Sequence, residues 1–429
     1  MTLNAGARDT HFIVIERIAA GNNLLQVLFV TNEIPHYTGG GMLIRDFNLL
    51  QALADRHEFT VVCFGYSGEQ QDERVEGLKS FCKSVVLVDY GQETQEHKVS
   101  RLTKVTKILQ PTPQRVQSLS PAGMRRVVYE LTRRNRFDIV HVNHVEMGPL
   151  LSGVEWAKRI IGIESIWPIV KRERDTLNSS LKRILYDLEW RKMKRYERTL
   201  YQSVDLCTMA SPREKEVVHS LTPAARVAVI PNGVDNSFFR NGHSISGNID
   251  NKDGLLFIGS MAYWPNEDAV QFFYRDILPY IKERCGDIKW QIVGRDPSPA
   301  VRHLASERIE ITGWVDDVRP YMWSSQVMIV PLRSGGGTRL KILEAMAAGI
   351  PVVSTTLGAE GLAVVHDKNI LIADAAEEFA EAVVRLINQP QLVERITHNA
   401  RKLMETVYDW SIIAEQLDEA YQSILQFGN

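Results

Sequence analysis

Long apolar runs are missing from this chain. No stretch approaches the roughly 20 residues that a membrane-spanning helix requires, so the sequence does not read as a helical membrane protein. Cysteine is scarce. Cys63, Cys82, Cys207 and Cys285 lie far apart and form no pair of metal-ligand spacing. That excludes a disulfide-stapled scaffold and makes a reducing cytosol the expected compartment. Charge imbalance is also absent: 50 basic and 52 acidic residues leave a net charge of −2, which gives no case for general nucleic-acid binding. A secretory leader is not legible either. Phe12-Ile13-Val14-Ile15 is too short for a signal core, and residues 1–23 read as a variable extension. What is there is the composition of a soluble globular protein, 44% hydrophobic and 24% charged, and 429 residues suggest two domains or one large one.

The stretch PLRSGGGTRLKILEAMAAGIPVVST, residues 331–355, organises the rest. Residues 327–331 are a β-branched, apolar run closed by proline, the pattern of a short buried strand. Gly335, Gly336 and Gly337 cannot continue it, because successive glycines free φ and remove side chains. Residues 338–348 predict a helix. Leu340, Leu343 and Ala347, with Ile342, Ala345 and Met346, fall at helical spacing, and Gly349 before Ile350-Pro351 stops it. Residues 352–355 are a second strand. The loop of Gly335, Gly336, Gly337 and Thr338 therefore meets a helix N-terminus. Unpaired N–H groups and the positive end of the helix dipole favour an anion there, such as a diphosphate. Arg339 and Lys341 add positive charge in the first turn, against the dipole, which makes sense beside a bound anion. Glu344, in the next turn, suits the paired hydroxyls of a ribose. From the residues alone, an ordinary parallel-sheet turn with a solvated Glu344 stays open.

Upstream, residues 25–31, 59–64, 85–88, 137–144, 161–166, 204–209 and 226–230 read as strands separated by helical stretches. Such alternation implies a parallel doubly wound sheet, whose ligands sit at the carboxyl ends of the strands. Gly39, Gly40 and Gly41 lie at one such end, before a helix with Leu43, Phe47, Leu50 and Leu53 on one face. From the residues alone they fit a plain tight turn at an end where such a sheet takes its ligands. His141 and His144 close the strand at 137–144. An imidazole there suits hydrogen bonding to a sugar or taking a proton near neutral pH, and His141 equally suits a satisfied core position. Residues 171–198 are basic and amphipathic. They fit contact with an anionic membrane, or a solvated helix face with internal ion pairs through Asp187, Glu189 and Glu197. PNGVD at 231–235 turns the chain out of a strand, and 241–253 has the polar, glycine-containing composition of a linker. Strands resume at 255–258, 290–293 and 309–312. Residues 265–268 read as a helix start capped by Asn266.

LEAMA at 343–347 and GIPVV at 349–353 resemble the LEAMAxGxPVV signature of the large retaining glycosyltransferase family known as group 4, and PNGVD resembles its domain junction. The resemblance runs from about residue 25 to about residue 425 and is strongest in the second half. It implies an α/β chain of the GT-B fold, with two Rossmann-like doubly wound parallel-sheet lobes facing a central cleft. The acceptor-side lobe would be 24–240, the linker 241–253, the nucleotide-sugar-binding lobe 254–408, and 409–429 a helix crossing back. The GGGTRLK loop with GAEGL at 358–362 is similar to a subgroup found in exopolysaccharide and cell-surface glycan assembly. The scattered cysteines point to a cytoplasmic place, and the basic amphipathic pattern of 171–198 fits peripheral contact with the inner face of the cell membrane.

The resemblance further implies transfer of a sugar from a nucleoside-diphosphate sugar to a glycan or lipid-linked acceptor hydroxyl, with retention of configuration. No metal and no cofactor would be needed beyond the donor substrate. The family's ribose-binding glutamate falls on Glu344. Its first glutamate falls on Gly336, which leaves only backbone for the donor sugar. The arginine and Lys-Gly that usually hold the phosphates are absent from GSMAYWPNEDAV at 259–270, so Arg295, Arg339 and Lys341 are the candidates to meet that charge. Gly313 and Trp314 fall where the family meets the nucleobase. The expected catalytic residues are then His141, His144, Arg339 and Lys341. The expected donor-binding residues are Gly39, Gly40, Gly41, Arg295, Gly313, Trp314, Gly335, Gly336, Gly337, Thr338 and Glu344. A non-catalytic nucleotide-sugar-binding subunit of a glycan assembly complex and a nucleotide-sugar epimerase on the same fold are the alternatives.

Overall fold

A computed structural model describes residues 12–16, 24–65, 69–89, 110–175, 179–240, 253–335 and 339–426. The chain divides into two compact units. Unit 1 is Met1–Pro231 with Ile413–Asn429, and unit 2 is Asn232–Ile412.

Unit 1 is built on an eight-stranded sheet of β1 (Phe12–Glu16), β2 (Leu25–Val30), β3 (His57–Gly65), β4 (Ser84–Asp89), β5 (Ile139–Val142), β6 (Lys158–Ile163), β7 (Leu206–Met209) and β8 (Val227–Val229). Their order is β1-β4-β3-β2-β5-β6-β7-β8. Strands such as VLFV in β2 are buried throughout, as a sheet covered on both faces requires. Every pairing is parallel except β1 with β4. The extension read as variable thus contributes an antiparallel edge strand. Helix α1 (Gly41–Leu53) buries Leu43, Phe47, Leu50 and Leu53, the face read from their spacing. The basic region read as one helical stretch is two helices, α2 (Trp167–Asp175) and α3 (Ser180–Ser203). Glu197 is fully buried rather than ion-paired on the surface. Its Oε1 accepts the N–H groups of Ile166 and Trp167 at 2.8 and 2.7 Å, at the start of α2, and its Oε2 accepts the Tyr201 hydroxyl at 2.8 Å. Burial pushes its pKa up to about 8 despite these bonds.

Unit 2 holds a parallel six-stranded sheet of β9 (Leu255–Ile258), β10 (Trp290–Val293), β11 (Ile309–Gly313), β12 (Val327–Val330), β13 (Val352–Ser354) and β14 (Leu371–Ile372), in the order β11-β10-β9-β12-β13-β14. Val234 and Phe239 are buried in its core, so the division between the units falls at Pro231 rather than after residue 240. The linker expected at 241–253 lies, but for Asp253, outside the described residues. Helix α4 (Trp264–Phe272) starts one turn earlier than read. Pro265 occupies its first turn, so Tyr263 takes the cap position and Asn266 sits inside the helix. Helix α5 (Leu340–Ala348) buries Ile342, Leu343, Ala345 and Met346, and Gly349 ends it in the left-handed conformation at φ +75°. Helix α6 (Trp410–Gln426) closes the chain, and its residues from Ile413 onward belong to unit 1. There Asp418 meets Arg56 and His57 at 3.0 Å each, and the Tyr421 hydroxyl meets His141 Nδ1 at 2.7 Å.

Among the parallel strands, both orders reverse once. In unit 1 the reversal lies between β2 and β5, and in unit 2 between β9 and β12. Connections leave such a point in opposite directions, which opens a crevice at the carboxyl ends of the two strands.

Candidate functional site

In unit 2 the backbone at the reversal is drawn tight before any side chain enters. Gly259 follows β9 and Gly294 follows β10. Gly259 donates to the Val293 carbonyl at 2.9 Å, and Gly294 to the Gly313 carbonyl at 3.1 Å. Gly294 has φ +150°, and a Cβ there would lie 1.9 Å from the Gly259 carbonyl oxygen. A Cβ on Gly259 would in turn lie 2.8 Å from Lys341 Nζ and 2.7 Å from Asn266 Nδ2. These two glycines let two polar side chains reach the end of the central strand.

Lys341, in the first turn of α5, sends Nζ to Asn266 Oδ1 at 2.8 Å and lies 4.4 Å over the Phe257 ring. Asn266 Nδ2 donates to the Ser260 carbonyl at 2.8 Å. Burial pushes the Lys341 pKa down to about 7, helped by the neighbouring Arg339 charge and opposed by Glu344. Burial pushes Glu344 up to about 7, opposed by Lys341. Arg339 is buried and precedes α5 as its cap residue. Its Nη2 and the Tyr263 hydroxyl each lie 3.0 Å from the point a Cβ on Gly335 would occupy, so both converge on that glycine, which has φ +110°. Arg333 fixes the same loop to α4, with Asp268 at 2.6 Å and the Phe272 ring at 4.3 Å. The structure thus gathers Gly335, Arg339, Lys341 and Glu344 at one helix start. Arg295 stands beside them, largely exposed, with Nε 3.4 Å from Ser260 Oγ and 3.8 Å from Asp296. Gly313 and Trp314 leave the edge strand β11, two strands from β9, and Trp314 is 62% exposed. Gly336, Gly337 and Thr338 lie outside the described residues.

The reversal in unit 1 places Gly39, Gly40 and Gly41 after β2 as an exposed loop opening α1, with Gly39 at φ +120°. His144 follows β5. Its Nε2 is buried without a partner among the described residues, and burial pulls its pKa down to about 4. His141 sits within β5, buried, with Nδ1 on Tyr421 and Nε2 3.3 Å from Thr208 Oγ1. Burial pulls it down to about 3, so the ring is neutral. Asp46, beneath the glycine loop on α1, accepts the Thr31 hydroxyl at 2.8 Å and the Asn143 amide, and burial raises its pKa to about 7. Among the described residues no cluster of three metal-ligating side chains occurs, and no helix is long and apolar enough to cross a membrane.

Sequence reading missed Gly259, Tyr263, Gly294 and the use made of Asn266. Asn266 and Lys341 meet across 75 residues, a contact with no local signature.

Comparison with known proteins bears on these sites. Residues 39–238 match the family model described as Glycosyltransferase Family 4, and residues 252–389 match Glycosyl transferases group 1. The phosphatidyl-myo-inositol mannosyltransferase of Mycobacterium leprae is 29% identical over 208 residues, covering 47% of this chain and 54% of that protein. The chain spans about half the length of the curated relatives it matches. Sucrose-phosphate synthase of Thermosynechococcus elongatus is similar in fold, with a TM-score of 0.68 at 15% identity over 94% of this chain and 100% of that one. Anabaena HepE, solved with UDP and glucose, has a TM-score of 0.63 at 15% identity over 93% of this chain and 100% of that one. Residues 39–238 and 252–389 are therefore similar to glycosyltransferase domains of the family 4 and group 1 types, and the fold is GT-B.

Proposed function

We propose that the chain transfers a sugar from a nucleoside-diphosphate sugar to an acceptor hydroxyl on a glycan or lipid-linked carrier, with retention of configuration and without a metal. The observation that carries this reading is the pairing of Arg339 and Lys341 at the start of α5, beside the glycine-lined end of β9. In this reading the diphosphate lies against the α5 N-terminus and the two cations. Arg339, Lys341 and the helix dipole stabilise the charge that grows on the leaving diphosphate. Glu344 takes the ribose hydroxyls and Trp314 the nucleobase. Gly336 offers no carboxylate as nucleophile, so the acceptor oxygen bonds C1 on the face from which the diphosphate departs. The C1–O bond to phosphate breaks, and the acceptor proton passes to a diphosphate oxygen. The crevice of unit 1, with Gly39–Gly41 and His144, takes the acceptor. His141 has both ring nitrogens occupied and serves to hold α6.

Release of nucleoside diphosphate from UDP-glucose and GDP-mannose tests the donor site, since HepE holds UDP and glucose and the mycobacterial relatives are named for mannose. Glu344→Ala is expected to lower kcat/KM by about ten- to a hundredfold, through loss of the hydrogen bonds that the ribose hydroxyls donate to its carboxylate. A wild-type rate would remove the ribose from this position.

The acceptor class draws on α3. Ile184 and Leu188 are 60% and 44% exposed one turn apart, with exposed Lys182, Arg183 and Arg191 around them and Asp187 engaged by Arg174 and Arg191. An apolar stripe within a basic face fits an anionic bilayer surface. Flotation with vesicles is expected to show binding that needs acidic lipid and is lost at high salt. Binding indifferent to both would end this part of the proposal.

A further inference from the structure

Asn266 is 7% exposed and lies within α4, where a cap role is closed to it. Its amide spans two fixed points. Nδ2 is spent on the Ser260 carbonyl, which turns Oδ1 toward the Lys341 ammonium. The lysine therefore receives a neutral acceptor. The charged groups around it are accounted for. Arg339 and Glu344 lie on or beside its own helix. On α4, Glu267 accepts the Ser298 hydroxyl and Asp268 pairs with Arg333. After β10, Arg295 stands beside Asp296. Among the described residues no carboxylate hydrogen-bonds the Lys341 ammonium.

We propose that Asn266 is a positioning residue of the diphosphate site: it holds the Lys341 ammonium at the carboxyl end of β9 through a neutral oxygen and so leaves its positive charge for the ligand. The inference rests on the donor reading above. The isosteric acid at this position would pair with the ammonium directly, cancel its charge toward the ligand and raise its proton affinity. Alanine would strip an acceptor from an ammonium packed over Phe257 and favour its neutral form. The amide avoids both.

Titration calorimetry with UDP-glucose and with GDP-mannose, from about pH 6 to about pH 8.5, reads this directly. Their diphosphates are esterified at both ends and lose no proton in that range. The sign of the Lys341 contribution follows from its pKa, which is raised when the anion binds: that contribution is full below about pH 7 and falls above it, by up to about tenfold per pH unit, while Glu344 adds the opposite trend alike in every variant, so the profiles are compared with one another. Asn266→Asp is expected to weaken binding by about tenfold at the low end and to move the fall upward by about one pH unit. Asn266→Ala is expected to move it downward. In a Lys341→Met background, Asn266→Asp should cause no shift, which separates charge coupling from a general structural effect. Wild type that binds, with all profiles sharing one shape, would overturn the role of Asn266. Wild type that binds neither sugar nucleotide would overturn the donor reading itself.

Discussion

Arg339→Ala is expected to weaken nucleoside-diphosphate binding by about ten- to a hundredfold while leaving the fold in place. The magnitude is that of losing charge-assisted hydrogen bonds in a water-poor site. The side chain is buried at the N-terminus of α5 and converges with the Tyr263 hydroxyl on Gly335, so its guanidinium is already placed where the loop presents its backbone. One compensation is built in. The Arg339 charge helps hold the Lys341 pKa down to about 7, so its removal makes Lys341 easier to protonate. The loss should therefore be largest below pH 7, where Lys341 is charged in both proteins, and smaller above it. Arg295→Ala provides the contrast. That side chain is largely exposed and paired loosely, so its loss should change affinity by no more than about threefold. Equal losses at the two positions would contradict a diphosphate held at α5.

Gly294→Ala is expected to be the most damaging small substitution in unit 2. Two effects add. The backbone has φ +150°, a conformation that L side chains rarely adopt, and the new Cβ would stand 1.9 Å from the Gly259 carbonyl oxygen, where no flexible side chain can yield. The separation of β9 from β10 would have to grow, and with it the seat of Lys341 and Asn266. A cost of about 3–5 kcal/mol is expected, which lowers the Tm of a unit this size by roughly 10 °C. Gly40→Ala is the control. It has φ −71°, and its Cβ would meet nothing within 4 Å, so the melting temperature should hardly move. A thermal melt of the two variants side by side decides the matter. Similar midpoints would mean that Gly294 is not the constraint its contacts imply.

The strands of unit 2 were legible because parallel strands buried on both faces are short apolar runs. VMIV, WQIV and LLFI stand in the sequence much as they stand in the sheet. Helix α5 was legible from its spacing and from Gly349. Long-range pairings were not. Asn266 looked like a helix cap because Asn before Glu-Asp is a common cap pattern, and only the fold shows its amide meeting Lys341. His141 looked like a site residue because it ends a strand, but Tyr421 lies 280 residues away in sequence and occupies its ring. Glu197 looked like one acid among many bases, and the helix start it caps lies on another element. The edge strand β1 was missed because four apolar residues and a glutamate pair just as well with nothing until a neighbour such as β4 is known.

The central claim is that unit 2 binds a nucleoside diphosphate at the start of α5. A thermal-shift panel with UDP, GDP, ADP and dTDP in chelator tests it most directly. A ligand present at a hundred times its dissociation constant adds about 2.7 kcal/mol to stability, enough to raise the midpoint visibly. One of the four is expected to stabilise wild type, and at the same concentration to stabilise Arg339→Ala by only about 0.4–1.4 kcal/mol. Silence across the panel, or stabilisation of Arg339→Ala equal to that of wild type, would contradict a diphosphate held at α5.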